Sequence, residues 1–106
     1  MDQSYNGALN GLFHAVLTLQ NKAECGLFFG DLFTARELDV FAQRLQVARL
    51  LYQGNSYQLI HQELPVSNGT ISRINTKFCY GSGGYQMVLS RLDETPPNEE
   101  DRRQDA

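Results

Sequence analysis

Residues 56–77, SYQLIHQELPVSNGTISRINTK, constrain the fold more than any other stretch of the chain. They read as two short helices meeting at a tight turn. Ser56 can cap the first helix, because its hydroxyl accepts an amide proton that the first turn leaves unpaired; Tyr57, Ile60 and Leu64 follow at helical spacing. Pro65 then breaks the pattern, since it brings no amide proton and drives Leu64 out of the helical region. Ser67 caps a second helix, predicted to bury Ile71, Ile74 and Phe78. This order defines a helix-turn-helix, a unit whose second helix can enter the major groove of DNA with its N-terminal residues at the base edges.

The residues left facing outward fit that use. With Ile71 inward and 100° per residue, Gly69, Ser72, Arg73, Thr76 and Lys77 fall on the outer arc. No acidic residue occurs between Ser67 and Tyr80. Short hydroxyls, the Asn68 amide and two cations are donors suited to phosphates and base edges. A capped, solvent-exposed helix pair in an all-α domain would carry the same pattern, so this segment alone leaves both readings open.

A net charge of −3 looks unfavourable for a DNA binder until it is divided along the chain. Residues 93–106 hold six acids against Arg102 and Arg103, which leaves the preceding residues with six acids and seven bases, close to neutral. Phosphate neutralisation usually supplies much of the affinity for DNA, so the placement of a few cations must matter more here than their number. Cys25 and Cys79 are expected to be reduced, small and mostly buried. With His14 and His61 they make no CxxC or HxxxH spacing, so no metal is expected. No acid pair or Cys/His arrangement has the spacing of an active centre; neither an enzyme nor a cofactor is expected. There is no apolar run long enough for a membrane span and no secretory leader, so the expectation is a cytoplasmic protein without a membrane partner.

From its beginning, the chain reads as helices throughout. Residues 1–7 are polar and expected to fray. Ala8–Gln20 forms a helix that is apolar on most sides, where a surface helix should show a polar face. Burial from both sides is the natural explanation, which points to a subunit interface; a central core helix of a monomer is the alternative. Asn21–Leu32 is a shorter helix weakened by Gly26 and Gly30, so Phe28 and Phe29 must draw their order from packing. Thr34 and Glu37 make a capping box, starting a helix to about Gln53. Its predicted core stripe is Leu38, Phe41, Leu45, Ala48 and Tyr52, widened by Ala42 and Leu51, and Gly54 is its C-cap. Gly81-Ser82-Gly83-Gly84 is read as a hinge, and Tyr85–Asp93 as a last helix with Tyr85, Val88, Leu89 and Leu92 inward. Pro96-Pro97 stops it. One all-α domain over residues 1–95 is expected, followed by a disordered acidic tail, 96–106.

In this order the motifs are recognisable. FTARELDVFAQRLQVARLL, SYQLIHQEL, VSNGTISRIN and YGSGGYQMVL, running from Thr34 to Leu92, resemble the Trp-repressor superfamily and most closely its YerC/YecD-type branch. The resemblance implies about six helices, an intertwined homodimer and binding to double-stranded operator DNA. It places Ser67, Asn68, Gly69, Thr70 and Ser72 at the base-reading start of the recognition helix, with Gln58 and His61 on the helix before it. Arg73 and Lys77 join them as cations. In Trp repressor itself the corepressor lies between two arginines, and Arg44 and Arg73 stand at those positions. Ile74, however, replaces the glycine that follows the second arginine, and its branched side chain would occupy the space of an indole. Tryptophan is therefore not expected as an effector. Pro65 stands where the family has a turn glycine, and His61 where it has a small alanine, so the turn must be built differently. The function expected is a homodimeric, sequence-specific DNA-binding transcriptional regulator. The alternative is a protein-interaction module of the same fold with little DNA affinity.

Overall fold

Six helices and no strands make up residues 3–94, the part of the chain that the computed structural model describes. They are α1 (Gln3–Val16), α2 (Lys22–Leu32), α3 (Ala35–Tyr52), α4 (Tyr57–Glu63), α5 (Asn68–Tyr80) and α6 (Gly84–Glu94). The expected tail, 96–106, lies outside the described residues. The chain divides into two compact units, Met1–Val40 and Phe41–Ala106, the division falling within α3. No helix among the described residues is long and apolar enough to cross a membrane.

In the first unit, α1 begins earlier and ends earlier than its apolar run. Residues 3–7, expected to fray, are helical, because propagation from an established turn adds a hydrogen bond for each residue ordered. After Val16 the helix tightens and stops. The Thr18 and Leu19 amides reach back only three residues, to Ala15 O and Val16 O, and the Thr18 hydroxyl donates to Ala15 O at 2.7 Å. The start of α2 is fixed by a device its composition conceals. Asn21 Oδ1 accepts the Glu24 amide while Glu24 Oε1 accepts the Gln20 amide, each at 2.9 Å. This offsets the weakness of its two glycines. Phe29 meets Phe33 edge-to-face at 5.8 Å. Among the described residues, nothing in α1 or α2 is buried.

The capping box of α3 forms as expected: the Glu37 amide donates to Thr34 Oγ1 and the Thr34 amide to Glu37 Oε1. These bonds, the backbone one first, hold the Glu37 carboxyl below its ordinary range. At the other end Gly54 takes φ 87°, and the amides of Gly54 and Asn55 reach Leu51 O and Leu50 O. This is the paired closure of a Schellman cap.

The core of the second unit is Val47, Ala48, Ile60, Val66, Ile71, Ile74 and Leu89, with Leu50, Leu51, Tyr52, Leu64, Phe78 and Tyr85 packed against it. Two expectations for it need correcting. The buried face of α3 runs through Val47 and Ala48, whereas Phe41, Ala42 and Leu45 of the predicted stripe are exposed. The stripe is a real apolar face, but only its C-terminal end meets α4–α6 within one chain. On α6, Leu89 is buried but Val88 and Leu92 remain exposed, as does Met87.

Candidate nucleic-acid interface

Helices α4 and α5 with the turn between them form the unit foreseen in residues 56–77. Ser56 Oγ accepts the Leu59 amide at 3.2 Å, and Ser67 Oγ accepts the Thr70 amide at 3.1 Å. Ile60 locks α4 into the core and Ile71 and Ile74 lock α5, all three buried. Apolar burial on one side of each helix therefore decides which residues are left outside.

The turn contains no left-handed residue. Leu64 is extended (φ −126°, ψ 145°), and the Val66 amide donates back to Leu64 O at 2.8 Å across Pro65. His61 Nδ1–H donates to Val66 O at 2.6 Å, which requires the proton on Nδ1 because a carbonyl can only accept.

Ser67, Asn68, Gly69, Ser72, Arg73, Thr76 and Lys77 are all exposed, as are Gln58 and His61. Thr70 is half-buried and its hydroxyl is engaged inside the helix start, accepting from Ser67 Oγ at 3.1 Å and from Arg73 Nη2 at 3.3 Å. Thr70 thus orders its neighbours, and Arg73 is drawn toward the N-terminal turn. Thr76 donates to Ser72 O. Lys77 lies away from that end, on a cleft of about 590 Å³ lined also by Leu45, Gly81, Ser82, Tyr85 and Val88.

Arg44 and Arg73 are engaged separately. Arg44 sits over the Phe41 ring at 5.6 Å, Arg73 bonds Thr70, and Ile74 is only 6% exposed within the core. Neither the 590 Å³ cleft nor a second of about 570 Å³ beside Gln46, Arg49 and Glu63 includes Arg44, Arg73 or Ile74. Cys79, expected to be buried, is exposed, because it follows Phe78 around α5 onto the flank; its thiol donates to Asn75 Oδ1 at 3.5 Å. No group of three or more metal-ligating side chains occurs among the described residues.

Among the described residues, six helices with a capped helix-turn-helix, whose second helix presents donors and no acids, have the build of the helical DNA-binding regulators. Comparison with known proteins narrows this: residues 7–93 match the Trp repressor protein family. An uncharacterized Bacillus subtilis (strain 168) protein, YerC, is 42% identical over 95 residues, covering 90% of this chain and 91% of its own. The crystal structure of a candidate Trp repressor from Staphylococcus aureus superposes with a TM-score of 0.79 at 40% identity, over 92% of this chain and all of that one. A TrpR-like protein from Eubacterium eligens gives 0.79 at 35% identity, over 86% and 94%. The chain belongs to the Trp repressor family, in its YerC-type branch, a regulator fold that is not enzymatic.

Proposed function

We propose that this protein is a sequence-specific DNA-binding transcriptional regulator that acts as a homodimer and does not use tryptophan as corepressor. The observation that carries the reading is the outer face of α5. From Ser67 to Arg73 it offers hydroxyls, an amide, a guanidinium and an open backbone at Gly69, with no acid to repel a phosphate. Asn68, Gly69 and Ser72 would meet base edges, while Arg73 and Lys77 would hold phosphates. Ten residues separate Ser67 from Lys77, about 15 Å along the axis, which suits a flanking phosphate better than the base-reading end. Gln58 would contribute from α4 at the flank.

Dimerisation is supported by apolar surface left open on one chain. Leu17 is 80% exposed, Leu27 73% and Phe13 52%. Covering a fully exposed side chain of this size is worth about 1.5–3 kcal/mol, so a second copy has ample reason to dock there. Two recognition helices would then enter successive major grooves roughly 34 Å apart. Ile74, packed into the core, would serve in place of a corepressor. Making room for an indole beside it would cost about 1–3 kcal/mol, or roughly five- to 150-fold in affinity. Calorimetric titration of the dimer with tryptophan should accordingly give no binding tighter than about 100 µM.

Selection of bound sequences from random duplex DNA tests the central reading. Enrichment of a two-fold motif is the expected result. No enrichment, with the protein folded and dimeric, would replace it with a protein-interaction module of the same fold.

A further inference from the structure

Turning a chain sharply between two helices usually calls on a residue with positive φ, and among the described residues only Gly54 and Gly83 have one. Neither lies between α4 and α5. The Leu64–Val66 connection instead closes as a three-residue turn, its ends joined by the Val66 amide and Leu64 O across Pro65. That bond fixes the shape of the turn but leaves its exit free. Beyond Val66 Cα the chain could still rotate about the next bonds before Ser67 begins α5. The carbonyl of Val66 belongs to the same peptide plane as the Ser67 nitrogen, so whatever holds that oxygen also orients the N-cap of α5. His61 holds it, at 2.6 Å, from the last turn of α4.

We infer that His61 is a positioning residue. Its imidazole clamps the Val66 carbonyl to α4, takes over the directing role of a turn glycine, and so sets how Ser67–Arg73 is presented. The presentation to DNA rests on the function proposed above; the clamp itself does not. Two features support the assignment and a third makes it testable. Val66 is buried, so the residue is anchored on its side-chain face and the His61 bond fixes its remaining polar group. Pro65 offers no amide proton, so the turn has one fewer backbone bond with which to hold itself. And a neutral imidazole that donates from Nδ1 must leave Nε2 unprotonated, which gives the clamp a spectroscopic signature.

The test has a free-protein arm and a DNA arm. At about pH 8, above the ordinary histidine range, nitrogen-15 spectra of the full chain should show His61 as the Nδ1–H tautomer. The opposite tautomer would overturn the clamp, and this measurement needs no variant. His61→Asn and His61→Leu then form a matched pair. The asparagine amide nitrogen can occupy the place of Nδ1 and donate, whereas leucine has a similar outline and cannot. In His61→Leu the Thr70 amide, capped by Ser67, should exchange about tenfold faster, and His61→Asn should restore protection to within about threefold. Equal exchange in wild type and His61→Leu would overturn the proposal. On a selected operator, His61→Leu should bind about tenfold more weakly with an unchanged salt slope, and His61→Asn should recover most of the loss. If both variants lose equally while both keep their fold, the imidazole touches DNA itself and the positioning role fails. If the wild-type protein binds no DNA, the proposed function fails, and the tautomer and exchange results alone decide the clamp.

Discussion

At the scale of the residue, side-chain oxygens near backbone amides decide most of what is distinctive here. Thr34, Ser56 and Ser67 each accept an amide three residues on, and all three caps are legible in the sequence because the residue type and the spacing of the apolar run coincide. Glu37 adds a titratable partner. Its folded-state value is depressed, so the stability it adds is present above the ordinary carboxyl range and is lost as pH falls through the lowered value. Glu37→Gln keeps an oxygen for the Thr34 amide but cannot titrate. The difference in melting temperature between wild type and Glu37→Gln should therefore be constant near neutrality and shift against the wild type below about pH 4.5. A flat difference to pH 3 would remove Glu37 from the acid response. Gly69 is the opposite kind of residue. A Cβ there would meet only Ser67 Oγ, at 3.8 Å, so nothing in the chain's own packing calls for glycine. Gly69→Ala should stabilise the fold by about 0.5–1 kcal/mol and weaken operator binding if DNA approaches the backbone there. A more stable protein with undiminished affinity would show that the approach is not close.

Among the helices, legibility followed periodicity and failed where a contact outside the local pattern decides. The positions of α4, α5 and the C-terminus of α3 follow from Ser56, Pro65, Ser67 and Gly54, each acting within four residues of itself. The end of α1 did not, because Thr18 terminates it by a bond to its own backbone inside an unbroken apolar run. Nor did the face of α3: Leu38, Phe41 and Leu45 form an orderly stripe, and periodicity cannot tell which part of a stripe its own chain will cover. In the set proposed to face DNA, exposure of Ser67, Asn68, Ser72 and Arg73 was legible, but the engagement of Thr70 and His61 was not, since both bonds depend on rotamers. The glycine run after α5 shows the same division. It reads as a breaker, yet its residues are not equivalent. The Gly81 amide donates to Lys77 O at 2.9 Å, and a Cβ at Gly81 would overlap that same carbonyl oxygen. Gly81 is therefore fixed by close approach, which a freely moving hinge would not need. Gly81→Ala should cost about 1–3 kcal/mol and lower the melting temperature by several degrees. Gly84→Ala, with only Ser82 Oγ at 3.9 Å, should be close to neutral. Equal effects of the two substitutions would contradict the distinction.

For the whole molecule, two apolar surfaces that a single chain does not cover call for an explanation. Phe13, Leu17, Leu27 and Leu32 lie exposed in the first unit, and Phe41, Leu45, Met87, Val88 and Leu92 in the second. A monomer seldom leaves so many large apolar side chains in water, and when it does they mark an interface. The first unit is the more telling, because nothing in α1 or α2 is buried among the described residues, and helices of this length are marginal in water without packing. On the proposed reading a second copy with the same unmet surface would order the two helices, since two-fold pairing covers both surfaces at once. A two-fold assembly would also give the paired recognition helices that a palindromic operator requires. Sedimentation should find a dimer at micromolar concentration, with melting temperature rising as protein concentration rises. Removing residues 1–20 takes away Phe13 and Leu17 but leaves the second unit's core of Val47, Ile60, Ile71 and Leu89 intact. The truncated chain should keep helical content but aggregate, because the surface that α1 would share with a partner is then bare. A truncated chain that stays monomeric and soluble, with a concentration-independent melting temperature, would mean that α1 contributes nothing to assembly and that the exposed residues of α3 and α6 carry it alone.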